Sequence, residues 1–234
     1  MKFLKEILTK YNIPHTDLML EQFDTFYNMV IETNKQFNLT AITEEREFAI
    51  KHILDSVLPY SFLPQNALVI DIGAGAGFPS IPLKIIRPDL NITMIDSLNK
   101  HVNFLNDVVA KLNLENIKAI HTRAEDFAIK NREQFDVAVA RAVAPLCTLA
   151  EYCLPFVKVG GKFIAMKGSN LQEELLEAEF AIDLLGGECQ TTQDVLVEEI
   201  DSKRQNLIIK KIKQSPAKYP RGKNLPRLKP LLKG

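Results

Sequence analysis

The rhythm of apolar and polar positions changes at Ala67. Upstream, Leu20, Phe23, Tyr27, Val30 and Ile31 recur within residues 17 to 31 at the three-to-four spacing of a helix with one buried stripe. Residues 44 to 58 (EEREFAIKHILDSVL) open with acids after Thr43, which suits a helix N-terminus, and predict a second helix. LPQN at 63 to 66 interrupts the pattern. Downstream, the short apolar runs ALVIDI (67 to 72), NITMID (91 to 96), IKAIH (117 to 121), FDVAVA (135 to 140) and GKFIAMK (161 to 167) alternate with helical stretches near 79 to 86, 100 to 112, 124 to 131, 145 to 156 and 171 to 185. Continuous apolar strands separated by helices predict a parallel sheet covered on both faces. TQDVLVEEI and QNLIIKKIK follow with no room for a helix between them, and predict a closing antiparallel hairpin. The chain divides into a helical cap (1–63), an α/β domain (64–214) and a basic, Pro-rich arm (215–234) packing on or near the domain.

Composition changes this picture in two places. At 234 residues and 46% apolar content, the chain can bury one full core with a small appended subdomain. Charges break every apolar run of the N-terminus, and no stretch approaches the ~18 apolar residues of a membrane span, so a cytoplasmic protein is expected. Cys147, Cys153 and Cys189 are odd in number and lack C-x-x-C spacing, which favours reduced thiols and argues against a zinc cluster. The net charge of zero conceals a split. Eleven Lys or Arg and no acid follow Ser202, leaving 18 basic against 29 acidic residues before it. That segregation points to a polyanion such as nucleic acid, and a merely solvated basic terminus stays open beside it.

The chemistry concentrates in VIDIGAGAGFPSIPL (69 to 83). A dinucleotide loop requires G-x-G-x-x-G, and its third glycine would fall at position 78, which is Phe. The spacing is instead D-x-G-x-G-x-G, with Asp71 before Gly73, Gly75 and Gly77. An acid there suits a cationic cofactor without phosphates, and S-adenosylmethionine, a sulfonium with an ammonium group, fits. Asp96 ends the second strand, where it can accept hydrogen bonds from ribose hydroxyls of either cofactor. A nicotinamide site and a structural turn remain as alternatives.

Further blocks extend the pattern: FNLTAI (37 to 42), HILDS (52 to 56), IDSLNKHVNFL (95 to 105), TRAED (122 to 126), ARAVAPL (140 to 146), MKG (166 to 168) and YPR (219 to 221). In this order, with the glycine loop, the chain resembles the GidB/RsmG methyltransferases of bacteria. The resemblance implies transfer of a methyl group from S-adenosylmethionine to N7 of one guanine in the 530 loop of 16S ribosomal RNA. It also implies a Rossmann-like class I methyltransferase fold, with a mainly parallel seven-stranded sheet and a C-terminal antiparallel strand. By the same likeness, Gly73 and Phe78 line the methionine and adenosine side of the cofactor, Ala124 and Glu125 sit by the adenine, and Arg141 follows the fourth strand. Core packing by Phe78 and an ordinary first-turn acid at Glu125 are the competing readings.

The acceptor chemistry is consistent with that target. The Asn/Asp-Pro-Pro-aromatic tetrad common in exocyclic-amine enzymes is replaced by RAVAPL, and Cys147 falls in a predicted helix beside leucines, as a buried thiol rather than a nucleophile. Guanine N7 attacks through an in-plane lone pair and loses no proton, so alignment can suffice without a general base. Arg141 is the candidate catalytic residue, holding guanine O6 or a phosphate. RNA contacts are expected from Asn38, Thr40, Lys100, Arg123, Lys167, Arg204, Arg221 and Lys223, and His52 is read as a helix-surface histidine bonded to an acid. The partner is 16S rRNA or the small ribosomal subunit, bound by a monomer without metal. A nicotinamide oxidoreductase and a non-catalytic RNA-binding assembly factor are the rival functions.

Overall fold

The computed structural model describes residues 1–141, 144–168, 171–195 and 204–233; Ala142 and Val143 of ARAVAPL and the end of the strand expected over 192 to 200 lie outside them. The cap opens with α1 (Lys2–Lys10) and α2 (Asp17–Asn34). Thr16 starts α2, its hydroxyl accepting from the Met19 N–H at 3.3 Å. Phe23, Phe26 and Val30 form the buried stripe, while Tyr27 is half-buried and donates to the Thr43 carbonyl at 3.0 Å.

The helix expected over 44 to 58 is not uniform. Glu44 caps α3 (Glu45–Phe48) by accepting from the N–H groups of Arg46 and Glu47 at 3.0 and 2.7 Å. A π-helical turn follows (Ala49–Leu54), then α4 (Asp55–Val57) and a 3-10 turn (Leu58–Phe62). Pro59 has no N–H to continue an α-ladder. Hydrophobic spacing does not register the wider π turn, which preserves the buried face while changing the carbonyl partners.

The remaining elements are β1 (Leu68–Ile72), α5 (Ser80–Ile86), β2 (Asn91–Asp96), α6 (Asn99–Lys111), β3 (Ile117–His121), α7 (Ala124–Asn131), β4 (Phe135–Arg141), α8 (Leu146–Cys153), β5 (Val157–Lys167), α9 (Leu171–Leu184), β6 (Gly187–Val195), β7 (Arg204–Lys211) and α10 (Leu225–Leu228). They build the expected Rossmann-like sheet, in the order β3-β2-β1-β4-β5-β7-β6. β1 to β5 are parallel, and β7 runs antiparallel between β5 and β6. The order reverses at β1 and β4, so ligands belong outside their carboxyl ends.

Two strands start earlier than the apolar runs indicate. β5 pairs Val157 with Phe135 and then shifts register, resuming with Lys162 opposite Val137. Gly161 makes the irregularity possible, because a Cβ there would lie 2.5 Å from the Asp136 carbonyl oxygen. β6 is a polar edge strand with a register shift between Cys189 and Thr191, so its first half carries no apolar signature.

Alternate strand residues feed two cores. Val69, Met94, Val139 and Ile164 meet the cap, α5 and α6; Ile70, Ile95, Ala138 and Phe163 meet α7, α8 and α9. Cys147 is buried in α8. Arg87 ties the cap to the sheet with all five donors: Asp89 takes two at 2.7 and 2.8 Å, and the carbonyls of Tyr60, Leu63 and Pro64 take three at 3.0 to 3.1 Å. Among the described residues, no helix is long and apolar enough to cross a membrane.

Phe26 couples the cap to the glycine loop, its ring 6.3 Å from Phe48 and 5.4 Å from Phe78. Phe26→Ala is expected to lower unfolding free energy by about 3–5 kcal/mol in denaturant titration. A loss below about 1 kcal/mol would show that the two parts do not share this core.

Candidate active site at the carboxyl edge of the sheet

Strand β1 delivers Asp71 and the glycines to the switch point. Gly73, Gly75 and Gly77 all have positive φ, at 75°, 56° and 98°. At Gly77 space is limiting as well: a Cβ would sit 2.7 Å from Ile81 Cγ1 and 3.0 Å from Leu105 Cδ2. The close helix packing that a dinucleotide loop assigns to its third glycine therefore falls to Gly77 here. The loop is tied to β2, since Gly73 and Ala74 donate to the Ile95 carbonyl and Gly75 donates to Asp96 Oδ2 at 2.9 Å. Asp96 Oδ1 accepts from the Leu98 N–H at 2.8 Å. A carboxylate has about four acceptor sites, so Asp96 keeps capacity for a ligand.

Asp71 differs sharply. It is fully buried, and within strict hydrogen-bond geometry neither its oxygens nor the Ser80 hydroxyl has a partner among the described residues, although the Ser80 hydroxyl and N–H lie near enough to favour its charged form. Burial pushes the Asp71 carboxyl up to about 7, against the opposing influence of Ser80 and Arg141. A buried acid with so little compensation is costly in its charged form, and a cation brought close would relieve that cost.

Two cavities meet at Gly73, Asp96 and Ser97. The inner one, about 220 Å³, is bounded by Ile72 and Ile95 from the strand ends, Thr122 to Glu125 at the start of α7, and Tyr152, Asn224 and Arg227 opposite. The outer one, about 350 Å³, lies between the glycine loop and the cap, where Leu39, Thr40 and His52 face Phe78, His101 and Arg141.

Arg141 ends β4 and is clasped by the cap. Its Nη1 donates to the Lys51 carbonyl at 3.2 Å and to Asp55 Oδ2 at 3.1 Å, and Nη2 donates to His52 Nδ1 at 3.1 Å. A guanidinium only donates, so His52 Nδ1 accepts and Nε2 carries the hydrogen. Nε2 in turn donates to Thr40 Oγ1 at 2.7 Å. Burial first, and the Arg141 charge second, pull His52 down to about 3, in keeping with a neutral ring. Thr40 Oγ1 also accepts from the Ile42 N–H at 3.1 Å, so its remaining polar capacity is to donate its own hydrogen. Phe78 lies against this hydrogen-bonded pair, stacked on His52 at 4.3 Å with Arg141 4.8 Å from its centroid, and it packs in the cap core while lining the outer cavity.

The sequence-derived candidates thus separate into groups. Gly73, Gly75, Phe78, Asp96, Ala124, Glu125, Arg141 and Thr40 line the two cavities, Asp71 is buried at the end of β1 and lines neither, and Gly77 packs behind the loop. Asn38, Lys100, Arg123 and Lys223 are exposed, and Arg204 is half-buried. Lys167 is paired with Glu174 at 2.6 Å and donates to the Ala144 carbonyl, while Arg221 is held by Glu151. His52 is not the surface histidine expected; it is buried and bonded to Arg141 and Thr40. Asp55, Tyr152, Asn224 and Arg227 escaped the sequence reading. Only Asp55 carried a signal, its placement three residues after His52 in one helical turn.

The sequence model of the family described as "GidB: rRNA small subunit methyltransferase G" matches residues 19–207. A protein of Desulforamulus reducens named ribosomal RNA small subunit methyltransferase G is 48% identical over 232 residues, covering 97% of each chain. A Staphylococcus aureus protein of the same name is 46% identical over 235 residues, covering 99% of this chain and 98% of that one. Among solved structures, an rRNA methylase from Streptococcus thermophilus shares the fold with a TM-score of 0.51 and 19% identity, over 68% of this chain and 95% of that one.

Asp71 and His52 impose opposite pH dependences. Folded Asp71 retains a proton that the unfolded chain releases between about 4 and 7, so its share of stability falls as pH rises through that window. Folded His52 stays neutral where the unfolded ring is protonated, so its share rises with pH from about 3 to 6.5. Asp71→Asn should remove the first slope and expose the second, with unfolding free energy climbing between pH 4 and 6.5. At pH 8 the variant should exceed the parent by up to about 4 kcal/mol, at ~1.4 kcal/mol per pH unit. Parallel pH profiles of the two proteins would overturn the assignment.

Proposed function

The chain belongs to the rRNA small subunit methyltransferase G family, and from that premise we propose that it methylates N7 of a guanine in the 530 loop of 16S ribosomal RNA, using S-adenosylmethionine. The observation that carries the cofactor side is the buried Asp71 carboxyl, offset only in part by Ser80 and Arg141, at the end of the strand whose glycine loop opens into two joined cavities. When bound, S-adenosylmethionine supplies an electrophilic methyl group on a sulfonium. Asp71 and Asp96 provide negative charge for the cationic part and acceptors for ribose, and Ile72, Ile95, Ala124 and Glu125 offer a partly apolar slot for adenine. A pyrophosphate would meet two acids at this loop, which argues against the nicotinamide reading. The shared family argues against an assembly factor without turnover.

The outer cavity takes the acceptor base. Thr40, restricted to donating by His52 and Ile42, is suited to guanine O6, the oxygen beside N7 on the same edge. Arg141 has three of its five donors committed to the cap, and those remaining serve O6 or a phosphate. N7 attack needs no base, which agrees with a neutral His52 employed in orientation. A base held in ribosomal RNA must be unstacked to enter. Exposed Lys100, Arg123 and Lys223 are the proposed phosphate contacts; Lys167 and Arg221 are set aside because carboxylates already hold them.

Small subunits from cells lacking the protein, incubated with the purified protein and labelled S-adenosylmethionine, should gain one 7-methylguanine. Methylation at another atom would overturn the assignment. Arg141→Lys keeps a cation for Asp55 but loses the planar fork. It should cut transfer by roughly 100-fold when assayed well below its unfolding midpoint, and transfer within about twofold of the parent would remove Arg141 from its role. Thr40→Val should lower kcat/KM by about 5- to 150-fold, corresponding to ~1–3 kcal/mol for a lost base contact. An unchanged kcat/KM would exclude the O6 contact.

A further inference from the structure

The C-terminal arm folds back across α7 and α8 and reaches the inner cavity. Glu151, fully buried, accepts from Arg221 three times: from the backbone N–H at 2.8 Å, Nε at 2.9 Å and Nη2 at 2.7 Å. Thr148 Oγ1 donates to the Pro226 carbonyl at 3.0 Å, and Tyr219 and Leu231 are buried in the core shared with α8. Between these anchors, Lys223 and Asn224 both adopt left-handed backbone, with φ of 57° and 58°. Lys is an unfavourable residue for that conformation, which persists where surrounding contacts over-determine it. The two left-handed residues bring Asn224 against the cavity. Its N–H donates to Glu125 Oε1 at 3.2 Å, and its Oδ1 accepts from the Tyr152 hydroxyl at 3.3 Å. Neither bond engages Asn224 Nδ2. Arg227 lines the same wall.

Without the arm, the inner cavity would be a trough open opposite the strand ends, whereas small-molecule sites enclose most of their ligand. We infer that Asn224 and Arg227 form the outer wall of the adenosine site, so that the cofactor is held between the sheet edge and the C-terminal arm. This rests on the proposed use of S-adenosylmethionine. Asn224 Nδ2 supplies donors for a ring nitrogen of adenine, and the flat guanidinium of Arg227 suits the face of the purine. Cofactor occupancy and docking of the arm then favour each other, because binding to the docked form stabilises it.

Calorimetric titration of the full chain with S-adenosylhomocysteine tests the inference, with Asn224→Gly as the variant that keeps the left-handed backbone and removes the amide. The expected result is a Kd raised at least tenfold with an unchanged unfolding midpoint in the absence of ligand. Hydrogen exchange across residues 215–233 of the parent should also slow when the ligand is added. Affinity of the variant within twofold of the parent, or arm exchange indifferent to ligand, overturns the arm's role and leaves the methyltransferase reading intact. A parent chain that binds neither S-adenosylhomocysteine nor S-adenosylmethionine overturns that reading itself, and this inference with it.

Discussion

The site depends on a guanidinium at the end of β4 that three groups of the cap hold in place. Arg141 is mostly buried, and burial disfavours its charge, so the fold must surround it with acceptors. Asp55 supplies the charge; the π turn supplies the Lys51 carbonyl and His52. Because β4 lies between β1 and β5, Arg141 is a rigid anchor, and the cap is set against the sheet edge around it. The outer cavity exists because of that clasp, and so does the donor character of Thr40 at its far end.

The glycine loop follows a complementary rule. Its backbone is organised by one acid, Asp96, through Gly75 and Leu98, while the other acid, Asp71, has only Ser80 and Arg141 nearby to offset its burial. One carboxylate thus maintains the loop's shape, and burial makes the charged form of the other unfavourable at the same place. Stability is sacrificed at the point where a cationic ligand would restore it, a common relation between active sites and fold energetics.

Charge segregation along the chain also acquires a structural meaning. Part of the basic C-terminal segment answers acids of its own domain: Arg221 meets Glu151, Lys211 meets Glu133 and Lys213 meets Asp183. These pairs secure β7 and the arm. Lys218, Lys223, Lys229 and Lys233 remain on the exposed surface, available to a polyanion. The polarity that suggested RNA from composition alone therefore serves intramolecular docking as well as the outer face.

What the sequence determined by itself was whatever neighbouring residues decide together. Strand and helix alternation, the positive-φ glycines and the acids ending β1 and β2 are local, because period, backbone freedom and strand termini are written within a few positions. The irregular starts of β5 and β6 were already harder, since a bulge and a polar edge follow from pairing partners. The clasp and the cavity wall were decided only by tertiary structure. Arg141 meets Asp55 across 86 positions and Lys51 across 90, and Asn224 meets Glu125 across 99. No short-range pattern encodes such contacts. They arise where packing removes charged and polar groups from water and obliges them to find partners in whatever segment the fold has brought alongside.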